Sequence, residues 1–159
     1  MPDLVTHFAA AYFVSHLQKV RQHRVSLYMG TILPDLISRP VYILFPKLYP
    51  YTVALHTPVF LILFSLFYSQ FFAKSIRKDV FLFTVSGMAL HFGLDLFQRH
   101  IGSGYLWLFP LSWNSFEIGL YWPEQPLLLT PLWVLLILII ETVIRLRRIR
   151  EIWSNFSSH

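Results

Sequence analysis

Apolar runs of near-membrane length are interrupted in this chain by acidic and imidazole side chains at five places: His7, Asp35, His56, His91 and Asp95. An ionisable group at membrane depth costs roughly 2.5–3.5 kcal/mol on insertion scales. A fold that holds five of them has to bring them together, because a buried carboxylate is tolerable when a cation neutralises it. Imidazole with carboxylate suits zinc, manganese or iron, so the five residues read as ligands of a divalent metal, zinc first.

The surrounding composition is that of a membrane protein. The chain is 55% hydrophobic and 13% charged, where a soluble domain carries about 25% charge. Its mean hydropathy is +0.54. Aromatic residues make up 18%, which suits belts at the membrane interface. The length allows one domain, 1–159. The absence of cysteine excludes disulfides, thiolate metal sites, iron–sulfur clusters and cysteine nucleophiles. The start, MPDLVTH, lacks the basic n-region and small-residue cleavage site of a signal peptide, so none is expected. The net charge of +5 is concentrated in Arg145, Arg147, Arg148 and Arg150, just after the last apolar run. We read this cluster as a juxtamembrane stop facing anionic lipid, not as a nucleic-acid patch. The expected partner is therefore membrane lipid, with no nucleic acid.

The expected fold is all-α, a membrane-embedded bundle of about five helices. Three are full spans, at about 57–73, 79–98 and 127–146, within or near the 17–25 residues that a span needs. Two are short, at about 3–17 and 25–37, and pack against the others. Pro58 suits a first helical turn with Thr57 as its N-cap, Asp79 can cap the fourth helix, and Pro34 should kink or end the second. Residues 38–55 read as loop or broken structure, and 101–125 as an interfacial loop with a short re-entrant or amphipathic piece.

Orientation follows from the basic residues. Lys19, Arg21 and Arg24, then Lys74, Arg77 and Lys78, then the terminal arginines all fall on one side in an alternating topology. That side is the cytoplasm, so the C-terminus is cytoplasmic and the expected location is a prokaryotic inner membrane. All five candidate ligands then share one depth, near the external face.

Each candidate also has a plainer reading. His91 and Asp95, in HFGLD, are four apart and share a helix face. That spacing is common. Asp3 and His7 repeat it, although Asp3 can be an N-cap. Asp35 follows a proline and can be a cap or turn residue. His56 can be an interfacial histidine. His16, His23, His100 and His159 read as solvated, and Glu141 as the i,i+4 partner of Arg145. Glu117 sits in the outer aromatic loop. Arg99 can meet a phosphate or snorkel at the interface.

In order along the chain, His7, GTILPDL at 30–36, LHTP at 55–58, HFGLD at 91–95 and YLWLFPLSW at 105–113 resemble the prokaryotic inner-membrane metal-dependent hydrolases, a group with a type described as LexA-binding. The motif logic is similar to that of zinc-dependent phospholipase C, an all-helical fold with His and Asp ligands. The resemblance covers about 7–113. It implies metal ligation by His7, Asp35, His56, His91 and Asp95. The LHTP segment departs from the family pattern, where a basic residue and a serine stand nearby.

The reading that follows is metal-assisted hydrolysis at the external membrane face, on a phosphoester or lipid-linked substrate. A zinc-like ion would lower the pKa of bound water toward ~7, with Asp35 or Asp95 as general base or bridging ligand. Five ligands exceed the three of a typical catalytic zinc site, which allows two ions, or binders held by non-binding neighbours. The alternative is a non-catalytic membrane protein with a structural metal that binds a partner protein. A transporter would need polar residues along both halves of a path, and a haem would not need the carboxylates.

Overall fold

A computed structural model describes residues 4–17, 20–100, 104–122 and 124–157. Among them are seven α-helices and no sheet: α1 (Leu4–Ser15), α2 (Arg24–Leu44), α3 (Tyr49–Leu55), α4 (Pro58–Ser69), α5 (Lys74–Phe97), α6 (Gln125–Leu128) and α7 (Thr130–Ser157). Asp3, His159 and the loop residues 101–103 and 123 lie outside the described residues.

The spine of the molecule is the pair α2 and α5, with α1 against both, α4 against α5 and α7 against α1. Two glycines let the spine helices touch through their backbones. A Cβ at Gly30 would sit 1.9 Å from the Thr84 carbonyl oxygen, and one at Gly87 would sit 2.1 Å from that of Leu27. Only residues without a Cβ permit such an approach. Beyond this contact, toward the C-terminal ends of α2 and α5, the helices enclose Leu33, Leu61, Met88 and Phe92, with Phe60, Phe64 and Trp107 packed around them.

Buried hydroxyls are common inside this bundle. Thr31, Ser65 and Thr84 are fully buried, and each donates to the carbonyl four residues back. The exterior is the reverse. Ile62, Leu63, Leu66 and Phe67 of α4 and Leu132, Leu135, Leu138 and Ile139 of α7 are exposed.

The bundle differs from the sequence expectation in several ways. The second helix is long, running through Pro34 and Pro40 to Leu44. Each proline removes a backbone donor, but Pro34 is buried and neighbouring helices hold the turn in place. The expected loop at 38–55 is therefore largely helical, with a 3-10 turn at Pro46–Leu48 before α3. Of the three spans expected, Lys74–Phe97 is the one described helix long and apolar enough to cross a membrane. Helix α4 has 12 residues, about 18 Å of rise. In α7, Glu141, Arg145 and Arg147 interrupt the apolar run. Thr57 makes no side-chain cap and instead donates to the Ala54 carbonyl at 2.8 Å. Asp79 lies inside α5, 3.9 Å from His23. Glu141 accepts from the Tyr12 hydroxyl at 2.8 Å, tying α7 to α1.

After α5 the chain folds back as an irregular hairpin, fastened by isolated bridges between Gln98 and Tyr121 and between Tyr105 and Phe116. Gly104 (φ 78°) and Gly119 (φ 65°) take up the left-handed backbone there. Arg99 braces this hairpin. It donates to the Gly119 carbonyl at 2.9 Å and lies 5.0 Å from the Trp122 ring centroid.

Candidate metal centre

The five candidate residues come from three helices and one junction. His7 is on α1, Asp35 on α2, and His91 and Asp95 on α5. His56 caps α3 with non-helical backbone (φ −102°, ψ 48°), one residue before the extended Thr57 and the Pro58 that opens α4. That break turns the imidazole inward.

Asp95 is the centre of the group and has no exposed surface. Its Oδ2 lies 3.0 Å from His56 Nε2 and 3.2 Å from His91 Nε2. Its Oδ1 lies 3.3 Å from His7 Nε2 and makes no hydrogen bond. The Nε2 atoms of His56 and His91 are 3.4 Å apart. Two sets of three have donor atoms all within 4.8 Å of one another, His7 with His91 and Asp95, and Asp35 with His56 and His91. Asp35 Oδ1 stands 3.9 Å from His91 Nε2. Its Oδ2 is taken up in an ion pair with Arg39, although that contact is not aligned as a hydrogen bond.

The outer nitrogens decide what the inner ones can do. His91 Nδ1 is 2.8 Å from the Thr31 carbonyl oxygen. A carbonyl only accepts, so Nδ1 carries the proton. Thr31 is itself fixed by donating to the carbonyls of Leu27 and, across the helix contact, Gly87 at 3.2 Å. Ser38 Oγ gives its one proton to the Pro34 carbonyl at 2.8 Å, so at 3.3 Å it accepts from His56 Nδ1. In the neutral rings both Nε2 atoms then present lone pairs to each other and to a carboxylate. A cation among them resolves this repulsion, and an outer N–H held by a carbonyl or hydroxyl is the usual arrangement behind a metal-binding imidazole. The spacing agrees. Ligands at ~2.0–2.1 Å around a tetrahedral ion are separated by roughly 3.3–3.4 Å, and Asp95 Oδ2, His56 Nε2 and His91 Nε2 stand 3.0 to 3.4 Å from one another. These groups could hold a metal ion.

The same geometry disposes of a serine nucleophile. Ser38, His56 and Asp95 form a chain with the members of a hydrolytic triad. In that chain, however, the imidazole donates to the serine, and the serine's proton points at a backbone carbonyl. A nucleophile needs the opposite polarity.

Four neighbours that the sequence reading left out of the site help to shape it: Thr31, Ser38, Arg39 and Tyr105. Arg39 stands four residues after Asp35, a spacing that favours an ion pair on one helix face. Thr31 and Ser38 act through long-range contacts that no local pattern records. Tyr105 closes the site from the hairpin, its ring centroid 5.7 Å from that of His56 and 5.0 Å from that of His100. Burial first, and then the charges of Asp95 and Asp35, push its phenol up, so it stays a neutral donor. His100, expected to be solvated, is half-buried here, and burial lowers its pKa. Glu117 accepts from the His100 backbone N–H at 2.8 Å and so holds the hairpin rather than the centre.

No protein-family model, curated protein or solved structure matches this chain.

Proposed function

We propose that this is a membrane-embedded metal-dependent hydrolase whose site opens near the external face. The observation that carries the reading is the pair of imidazoles, His56 and His91, whose outer nitrogens are hydrogen-bonded so that their inner nitrogens face Asp95. The resemblance to inner-membrane metal-dependent hydrolases points the same way. Zinc is the proposed ion, held by His7, His56, His91 and Asp95. It would bring the pKa of a bound water toward ~7 and polarise a scissile phosphoryl or acyl oxygen.

Asp35 is the better placed general base. It stands at the edge of the group, farther from His91 than Asp95 does. It takes a proton from the water as the oxygen bonds to phosphorus or acyl carbon. The bond to the leaving oxygen breaks, and that oxygen receives the proton back. A phosphoester, including one carried by a lipid that enters sideways from the bilayer, fits the depth of the site.

Membrane embedding is supported by the apolar exterior of α4 and α7 around an interior rich in Ser and Thr, and by the length of α5. The orientation with a cytoplasmic C-terminus rests on the basic residues at the starts of α2 and α5, which His23 brings together by stacking on Phe83 and approaching Asp79.

The test is elemental analysis of the purified protein, together with hydrolysis of lipid extracts and simple phosphoesters with and without chelator. One bound divalent ion and chelator-sensitive turnover are expected. A protein that binds no divalent ion under any loading condition refutes the reading. A second reading, a structural metal in a partner-binding membrane protein, draws on the complete burial of His91 and Asp95. A retained ion without turnover would select it.

A further inference from the structure

We propose that Arg39 is an anion-binding residue, which anchors a negatively charged group of the ligand beside a single divalent ion. This rests on the metal reading above and adds to it the number of ions and the charge of the ligand.

The first argument is access. His7, Asp35, His91 and Asp95 have side chains 0–4% exposed. His56 at 13% and Arg39 at 16% are the more open members of the group. A ligand entering between His56 and Arg39 would meet the guanidinium.

The second argument is charge. Asp35 and Asp95 contribute two negative charges, Arg39 one positive charge, and the three imidazoles none when neutral. One divalent ion leaves the buried group with a net charge of about +1, which a monoanion neutralises. A second divalent ion would raise it to about +3, far more than a closed, apolar surround sustains. The charge balance therefore favours one ion and one anionic ligand over two ions.

The third argument is geometry. Arg39 is one helical turn beyond Asp35 and holds its Oδ2, while Asp35 Oδ1 faces His91 Nε2. The guanidinium is thus fixed on the carboxylate proposed as base, at the edge of the metal group. A planar fork of five N–H donors recognises phosphate or carboxylate oxygens by paired hydrogen bonds. An anion lying between Arg39 and the ion would have its central atom next to Asp35.

The experiment uses the full chain in detergent, loaded with zinc, and inorganic phosphate as the probe in calorimetric titrations. Vesicles with and without phosphatidic acid form a second arm, which distinguishes a lipid headgroup from free phosphate. The wild type is expected to hold one zinc per chain and to bind one of these two probes. Arg39→Gln is expected to keep the zinc and to lose affinity for that probe by about 10-fold or more, the worth of a charged hydrogen-bond pair. Arg39→Lys keeps the charge without the fork, and an intermediate loss is expected. Should Arg39→Gln fail to load zinc, the comparison is made on Arg39→Lys. Two zinc ions per chain, or unchanged probe affinity in a zinc-loaded variant, overturns the proposal while leaving the metal centre standing. A wild type that binds no divalent ion overturns both.

Discussion

Gly87→Ala perturbs the metal group without touching any of its ligands. The added Cβ would lie 2.1 Å from the Leu27 carbonyl oxygen and 2.8 Å from the Thr31 nitrogen, both backbone atoms. Cβ contacts under 3.0 Å essentially never occur, so α2 and α5 must part there by about 0.9 Å, the shortfall at Leu27. The Thr31 hydroxyl bond to the Gly87 carbonyl, already 3.2 Å, then breaks, and the 2.8 Å bond from His91 Nδ1 to the Thr31 carbonyl stretches beyond hydrogen-bond length. Replacing a helical glycine by alanine gains about 1 kcal/mol in propensity. Overpacking costs roughly 1–3 kcal/mol, and at a backbone contact the upper end applies. The two hydrogen bonds add about 1 kcal/mol each, for a net loss of about 3–4 kcal/mol. Losing the hydrogen bond that orients His91 should also weaken zinc binding about 10–100-fold. Gly93→Ala is the control, since its Cβ would meet nothing within 4 Å. It should be neutral or stabilising by up to about 1 kcal/mol. Thermal unfolding in detergent and a competitive zinc titration measure both effects. If Gly87→Ala matches the wild type in stability and in zinc affinity, the argument that the helix contact sets the imidazole is wrong.

Asp95→Asn keeps the side-chain volume and removes the charge between the imidazoles. It should abolish zinc retention and chelator-sensitive turnover, and His91→Ala should do the same, as read by elemental analysis. An Asp95→Asn protein that gains stability and never held zinc in its wild-type form would mark Asp95 as a paired structural carboxylate. Because the chain has no cysteine, Asn114→Cys and Ser157→Cys are clean topology probes. An impermeant thiol reagent on intact cells should label Asn114→Cys and spare Ser157→Cys, and the reverse pattern would invert the proposed orientation. Tyr12→Phe removes the 2.8 Å hydrogen bond to Glu141 and should loosen α7 from α1 at a cost of about 1–2 kcal/mol. Faster proteolytic release of α7 would register it, and unchanged release would mean that other contacts, such as the Phe13 and Trp133 rings 6.0 Å apart, suffice to hold the helix.

The all-α class and the metal-compatible residues were legible in the sequence because both rest on chemistry that survives any tertiary arrangement. Apolar runs without strand alternation leave helices, and five ionisable groups among them have to be sheltered. Where the reading failed, the deciding contacts lie far apart in the chain. Pro34 and Pro40 look like stops for α2, yet packing carries the helix past both to Leu44. The Glu141 spacing matches Arg145, but a phenol 129 residues away takes the carboxylate. Thr31 and His91 are 60 residues apart, and nothing in GTILPDL announces that a backbone carbonyl there will fix an imidazole. Arg39 could have been paired with Asp35 from its i,i+4 spacing. The loop expected at 38–55 took in Arg39 instead.

The glycine contact between α2 and α5 also makes a pivot. His91 lies four residues from Gly87, about 6 Å along the axis, and Asp35 five residues from Gly30, about 7.5 Å. The start of α5 at Lys74 is about 20 Å away. A rocking of 5° about the contact would therefore swing Lys74 by about 1.7 Å but His91 by only about 0.5 Å, from simple lever arms at that rise per residue. Were the bundle embedded in a bilayer as proposed, thinning or thickening of the lipid would be answered by helix tilting. Most of that movement would be spent at the basic ends, and the imidazole beside the hinge would keep its distance to its neighbours. In the proposed membrane setting, placing the donors close to the fulcrum would shield their geometry from the mechanical state of the bilayer.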